Sequence, residues 1–238
     1  MIPVEPLDLP LRPLVLTSVD ATLAPPSGEP TPPPVPPLAG RVLLGGPHAV
    51  PITPEFAAED RELRLFVSQE AARAVYHLVR LTLNFPDRPV TPRLHRVDAA
   101  FELTAQDGAE APVAWSMTPS EVRDARQRVR HVALGPRLAF LGVEVELGEW
   151  SRTVTEQTGE PFLQAQRAQT PRPGWRFTRT RAMPLTGDQS LAMVVRAPAG
   201  VTSTLGLEIR ATTRSRPLGL RRYREVPGPL TLPPRTLS

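Results

Sequence analysis

From about residue 61 to residue 213, apolar and polar residues alternate with a period of two, and the alternation breaks at short intervals on Gly, Pro and Asp. That is the pattern of strands with one face turned to a core. ELRLFV sets Leu63, Leu65 and Val67 on one face. In VDAAFELTAQDGAEAPVAWSM, Val97, Ala99, Phe101 and Leu103 alternate toward Asp107-Gly108, and Val113, Trp115 and Met117 return from it. Asp-Gly supplies the positive φ of a tight turn, so the stretch predicts a β-hairpin. AFLGVEVELGEW places Leu141, Val143, Val145 and Leu147 opposite Glu144 and Glu146. Further on, Trp175 with Phe177, Leu191 with Met193 and Val195, and Leu205 with Leu207 and Ile209 each share a face.

Two stretches read as helical. SQEAARAVYHLVRL (68–81) opens with good helix formers, then alternates through Val75, His77, Val79 and Leu81, which predicts a short helical turn followed by a strand. TPSEVRDARQRV (118–129) combines Thr118, Pro119 and Glu121 in the pattern of a capping box, which predicts a helix. So few helices among about nine strands predict an all-β fold: an antiparallel β-sandwich or jelly-roll-like body. No internal repeat at a fixed period accompanies it.

Proline divides the chain. Fifteen of the 31 prolines fall within residues 1–60, most densely in PPSGEPTPPPVPP (25–37), where no hydrogen-bonded ladder can run. The expected organisation is an extended arm (1–60), a sandwich body (61–213) and a tail, basic and then proline-rich (214–238). Within the arm, Val15, Val19 and Leu23 alternate as a strand that needs a sheet to join. It adds either to the body's own edge, the simpler option, or to a partner by strand addition. The end of the tail, VPGPLTLPPRTLS, shows no apolar face and is expected to be extended.

Composition narrows the chemistry. All 28 basic residues are Arg, there is no Cys, and Asn occurs once, at Asn84. Residues with A/T-rich codons are jointly scarce, so the exclusive use of arginine is mostly coding bias; the guanidinium still suits carboxylate and phosphate partners. Lack of Cys excludes disulfides and thiolate chemistry. The chain shows neither a signal-peptide pattern nor a long apolar run, which predicts a soluble cytoplasmic protein without a transmembrane segment. Residues 1–120 hold 9 Arg against 14 acidic residues, net −5, while 121–238 hold 19 Arg against 10, net +9. Such polarity fits an anionic partner or head-to-tail contact between copies.

Catalytic motifs are missing: no G-x-S-x-G, P-loop, H-E-x-x-H or G-x-G-x-x-G occurs. His77, His95 and His131 with Asp98 or Glu102 would hold a metal only if their strands were neighbours. Glu144 and Glu146 stand about 7 Å apart along a strand, compatible with an acid/base pair but more simply a solvated face. No catalytic residue, metal or cofactor is therefore assigned. Anion binding has two candidate segments. RPGWRFTRTR offers Arg176, Arg179 and Arg181 beside aromatic residues, and RATTRSRPLGLRRYRE offers Arg214, Arg216, Arg221, Arg222 and Arg224. The expected function is a non-enzymatic interaction or structural module of a larger, self-associating or bacterial effector assembly. The alternative is binding to nucleic acid or an anionic surface through the Arg-rich half, and the weaker one a carbohydrate-active or metal-dependent enzyme.

Overall fold

The computed structural model describes residues 2–4, 10–14, 40–87, 93–106, 108–124, 133–140, 143–151, 159–215 and 222–237. In chain order the elements begin with β1 (Ile2–Val4), β2 (Arg12–Pro13), β3 (Leu43–Pro51), α1 (Arg61–Glu70) and β4 (Ala74–Phe85). Then come β5 (Arg93–Ala105), β6 (Val113–Thr118), β7 (Glu121–Arg123), β8 (Ala133–Phe140) and β9 (Val143–Ser151). The last five are β10 (Pro161–Gln166), β11 (Gly174–Thr178), β12 (Gly187–Pro198), β13 (Ser203–Ser215) and β14 (Arg222–Leu237). A large sheet runs β14-β13-β5-β11-β10-β7 and a smaller one β2-β3-β4-β12-β6. They pack face to face as an all-β sandwich, and a third sheet, β1-β8-β9, contacts α1 and β6. Neighbours are antiparallel except β1 and β8.

The predicted alternation fills the interior. Val97, Ala99, Phe101 and Leu103 from β5 and Trp175 and Phe177 from the neighbouring β11 share one core with Leu191, Met193 and Val195 from β12. Phe177 packs edge-on against Phe85 (5.4 Å between centroids) and Phe162 (6.3 Å), and Phe101 against Trp175 (5.9 Å). Each fully buried ring contributes about 2 kcal/mol or more of transfer free energy. Trp175 keeps its polar atom satisfied, its Nε1 donating to Pro119 O at 2.9 Å. β4 reads as nearly continuous apolar sequence because it is covered on both sides. Val79, Leu81 and Leu83 face the interior, while Tyr76 and Leu78 face a second core beneath α1 with Ile52, Leu63, Val67 and Val194.

Three expectations are corrected. ELRLFV is helix rather than strand: Asp60 caps α1, its carboxylate accepting from Leu63 N at 3.0 Å, and Leu63 and Val67 are buried one turn apart. Leu65, expected on their face, is 49% exposed. The 118–129 stretch does not start a helix; Thr118 ends β6, the Thr118-Pro119 bond is cis, and Glu121–Arg123 forms β7, which pairs with β10. Backbone pairing to β10 outcompetes the local cap.

The 97–117 stretch is a turn between sheets rather than a hairpin. Gly108 has φ +69 as the turn requires, but both sides of β5 are taken by β13 and β11, so β6 crosses to pair with β12. A register shift between Val194 and Val195 also separates Trp115 from Met117, sending the first beneath α1 and the second into the main core.

The tail is extended and packed along the body, as expected, although it does bury one apolar side chain. β14 pairs along β13, and Leu237 is buried in the main core. Its four prolines, Pro227, Pro229, Pro233 and Pro234, fall in the two register shifts of the β13–β14 ladder, where no hydrogen-bond donor is required.

Residues on either side of the expected boundaries at 60/61 and 213/214 thus share sheets, β3 with β4 and β14 with β13. In the arm, Ile2–Val4 pairs with β8 and Arg12–Pro13 with β3, and Leu14 is buried in the main core. Val15, Val19 and Leu23 lie outside the described residues.

Gly174 tests how β11 lies against β5. A Cβ there would stand 2.5 Å from Ala99 O and 3.2 Å from Ala100 Cα, both backbone atoms that cannot step aside. Gly174→Ala is expected to destabilise the protein by about 2 kcal/mol in urea unfolding. Gly206→Ala, whose new Cβ would meet Glu102 O at 3.7 Å, is expected to be near neutral.

Candidate functional site

Because Val97, Ala99 and Phe101 point inward, alternation turns Arg96, Asp98, Ala100 and Glu102 to the outer face of the large sheet. Trp175 and Phe177 likewise turn Arg176 outward. Register then aligns Arg210 on β13, Asp98 on β5, Arg176 on β11, Gln164 on β10 and Glu121 on β7 in one row across five strands. Asp98, its side chain 19% exposed, takes Arg176 Nε on one oxygen at 2.6 Å and Arg96 Nε on the other at 3.0 Å. At the far end of the row Glu121 takes Arg123 at 2.8 Å and Gln164 Nε2 at 3.4 Å, and at the near end Arg210 pairs with Glu208. Ala100 and Gly174 are register partners in the adjoining row, so the charges stand beside a floor of short side chains. Glu102 and Arg172 add an exposed pair at 3.1 Å, of the kind worth about 0–1 kcal/mol.

The charge polarity of the sequence is therefore not a spatial polarity on this face. β5, from the acidic half, lies between β13 and β11 from the basic half, and its Asp98 and Glu102 pair with Arg176 and Arg172 of that half within one chain.

Of the arginines singled out in the sequence, Arg176 is engaged with Asp98. Arg179 follows β11, its N–H donating to His95 O at 2.8 Å, and Arg181 is exposed in the next turn. Arg214 stands opposite Arg93, Arg222 opposite Ser215 and Arg224 opposite Thr213. Arg216 and Arg221 lie outside the described residues. Asp98, considered in the sequence only as a metal ligand, is the hub of the array; its place opposite Val97 and Ala99 on an alternating strand was the available signal.

Among the described residues the histidines do not converge. Phe177 is the register partner of Val97 and packs on Phe85, so the start of β5, with His95, lies at the end of the sandwich where β4 finishes. His77 lies eight residues before Phe85, about 26 Å along the strand. His131 lies outside the described residues, among which no group of three potential metal ligands gathers. Glu146 stands opposite Arg137 and Glu144 opposite Ala139 in the β8–β9 ladder.

A second cluster lies under α1. Tyr76 meets Phe66 at 5.3 Å and Trp115 at 6.2 Å, and Arg196 stands 5.9 Å from the Trp115 ring. Burial raises the Tyr76 pKa, Glu70 adds to the shift, and Arg196 opposes it.

No family model matches the chain, and no curated protein matches it. A solved structure described as "Pore forming protein" aligns at 7% identity with a TM-score of 0.29, over 70% of this chain and 80% of that one. That likeness is too slight to bear on function. Among the described residues, no helix is long and apolar enough to cross a membrane.

His77 supplies a pH test of the interior. It is 3% exposed, its Nδ1 has no hydrogen-bond partner, its register neighbours are Val195 and Pro51, and burial lowers its pKa. The unfolded chain takes up a proton near pH 6.5, before the folded chain does. This contribution to stability is therefore complete above about pH 6.5 and declines as pH falls below it. His77→Leu is expected to flatten the decline in urea midpoints measured across that window, without loss of stability at neutral pH, because the unpartnered nitrogen is removed.

Proposed function

We propose that the protein acts by binding rather than by turnover, docking a second copy of itself through the outer face of the large sheet. The row Arg210, Asp98, Arg176, Gln164, Glu121 carries this reading. A two-fold axis along the strand direction through Arg176 sets Arg210 of one copy over Glu121 of the other, and Asp98 over Gln164. At the axis each Arg176 remains tied to its own Asp98. The face is thus complementary to itself, as an isologous contact requires. Signs alternate along the row, so a uniform polyanion laid across it meets carboxylates as often as guanidinium groups, which disfavours nucleic acid at this face. A contact made of such pairs is polar and salt-sensitive rather than obligate. Components of a larger assembly that present the same charge order are the further class of partner.

Light scattering across a concentration series tests the reading. The expected mass rises from the 26.1 kDa of one chain toward twice that value at low salt and falls back at high salt. Glu121→Arg and Arg210→Glu should each abolish the rise alone and restore it when mixed. A chain that stays monomeric at low salt throughout the series refutes the proposal.

A further inference from the structure

Between β10 and β11 the chain makes a turn that departs from a rule kept elsewhere in the molecule. Arg167 has φ 53 and Gln169 φ 61, both in the left-handed region where a side chain crowds its own backbone. The other residues with positive φ among those described are glycines, at 40, 46, 108, 187 and 200. Pairing fixes the backbone of the turn. Gln169 N donates to Ala114 O at 2.8 Å and Ala114 N to Thr170 O at 3.3 Å, which ties the turn to β6 of the smaller sheet. Thr170 Oγ1 closes it, donating to Arg167 O at 2.7 Å and accepting from Arg172 N at 3.3 Å. This brace holds residues 167 and 169 in the left-handed conformation but uses only their main-chain groups. Glycine would make the same bonds without strain.

The two side chains are bonded to nothing inside the molecule. Arg167, Ala168 and Gln169 are all exposed. Among the described residues, neither the Arg167 guanidinium nor the Gln169 carboxamide is held by a hydrogen bond or an ion pair. Strain retained for side chains without a partner in their own chain points to a contact outside it. Because the backbone is already braced, presenting them there costs little further ordering on binding.

We propose that this turn is a docking point for an acidic peptide segment of a partner protein, with Arg167 taking a side-chain carboxylate and Gln169 a peptide group beside it. A guanidinium offers two parallel N–H donors to a carboxylate, and a carboxamide donates and accepts as a peptide group does. Nucleic acid fits less well. Arg172, the next guanidinium along the chain, is held by Glu102 at 3.1 Å, which leaves Arg167 as the free guanidinium of the turn, whereas a phosphate backbone calls for a track of cations. The turn lies beyond the end of β10, off the charged row, and does not depend on self-association.

Heteronuclear NMR of the full chain, titrated with a hexaglutamate peptide at low salt, tests the proposal. The backbone amide signals of residues 166–170 should shift on titration and return when salt is added. Arg167→Gly combined with Gln169→Gly should leave Tm equal to or above that of the parent and weaken peptide binding at least about tenfold. Arg64→Ser, which removes an exposed arginine from α1, should bind as the parent does. A Tm clearly below the parent's in the double glycine variant shows that the side chains serve the fold, and overturns the proposal. So do an absence of shifts at 166–170 in the parent, undiminished peptide binding by the glycine variant, and an equal loss of binding in Arg64→Ser. Larger shifts of the same signals with a single-stranded oligonucleotide than with hexaglutamate at equal charge also overturn it, and assign the turn to a phosphate partner.

Discussion

The close approach of β11 to β5 is the constraint on which the rest of the molecule depends. Gly174 leaves room where any side chain would strike the backbone at Ala99. With β11 seated there, Trp175 and Phe177 enter the interior beside Phe101 and Phe85, and Arg176 emerges on the other face against Asp98. One register decision thus sets the aromatic core and the charged face together. A one-residue slip would exchange the two, burying a guanidinium and exposing two aromatic rings. Burial of those rings is worth far more than the outer ion pairs, so the core dictates the register and the charged row is read out from it.

Much of this was legible in the chain. Alternation correctly assigned the inward residues of β5, β11, β12 and β13, because a strand covered on one face has no other solution. It failed for Leu63, Leu65 and Val67, where three apolar residues at alternate positions fit a strand as well as part of a helix. The deciding signal was Asp60, a cap outside the stretch being read. It failed again at Asp107-Gly108: a turn residue fixes where the chain reverses, while the choice of neighbour depends on which strand edges are vacant, and β5 has none.

The charged face was illegible for a related reason. Arg210, Asp98, Arg176, Gln164 and Glu121 come from five strands, so the row exists only in the sheet order. Counting charges along the sequence separated an acidic half from a basic half and gave the impression of two charged ends. Interleaving the strands places acids and bases side by side, which turns long-range polarity into short-range pairing.

The edges of the sandwich explain why its faces and ends are the available surfaces. β14 closes one side of the large sheet with four prolines lodged in its register shifts, and the three-residue β7 closes the other. In the smaller sheet, β6 is bonded on its outer side to residues 169 and 170, and β3 is capped in part by β2 and by Leu14, whose N–H donates to Val42 O at 2.9 Å. Short strands, bulges and prolines are the devices that keep exposed edges from recruiting further strands. With strand addition discouraged, association falls to side chains. On the large sheet those side chains are paired charges, so its outer face calls for a surface with the complementary sequence of signs.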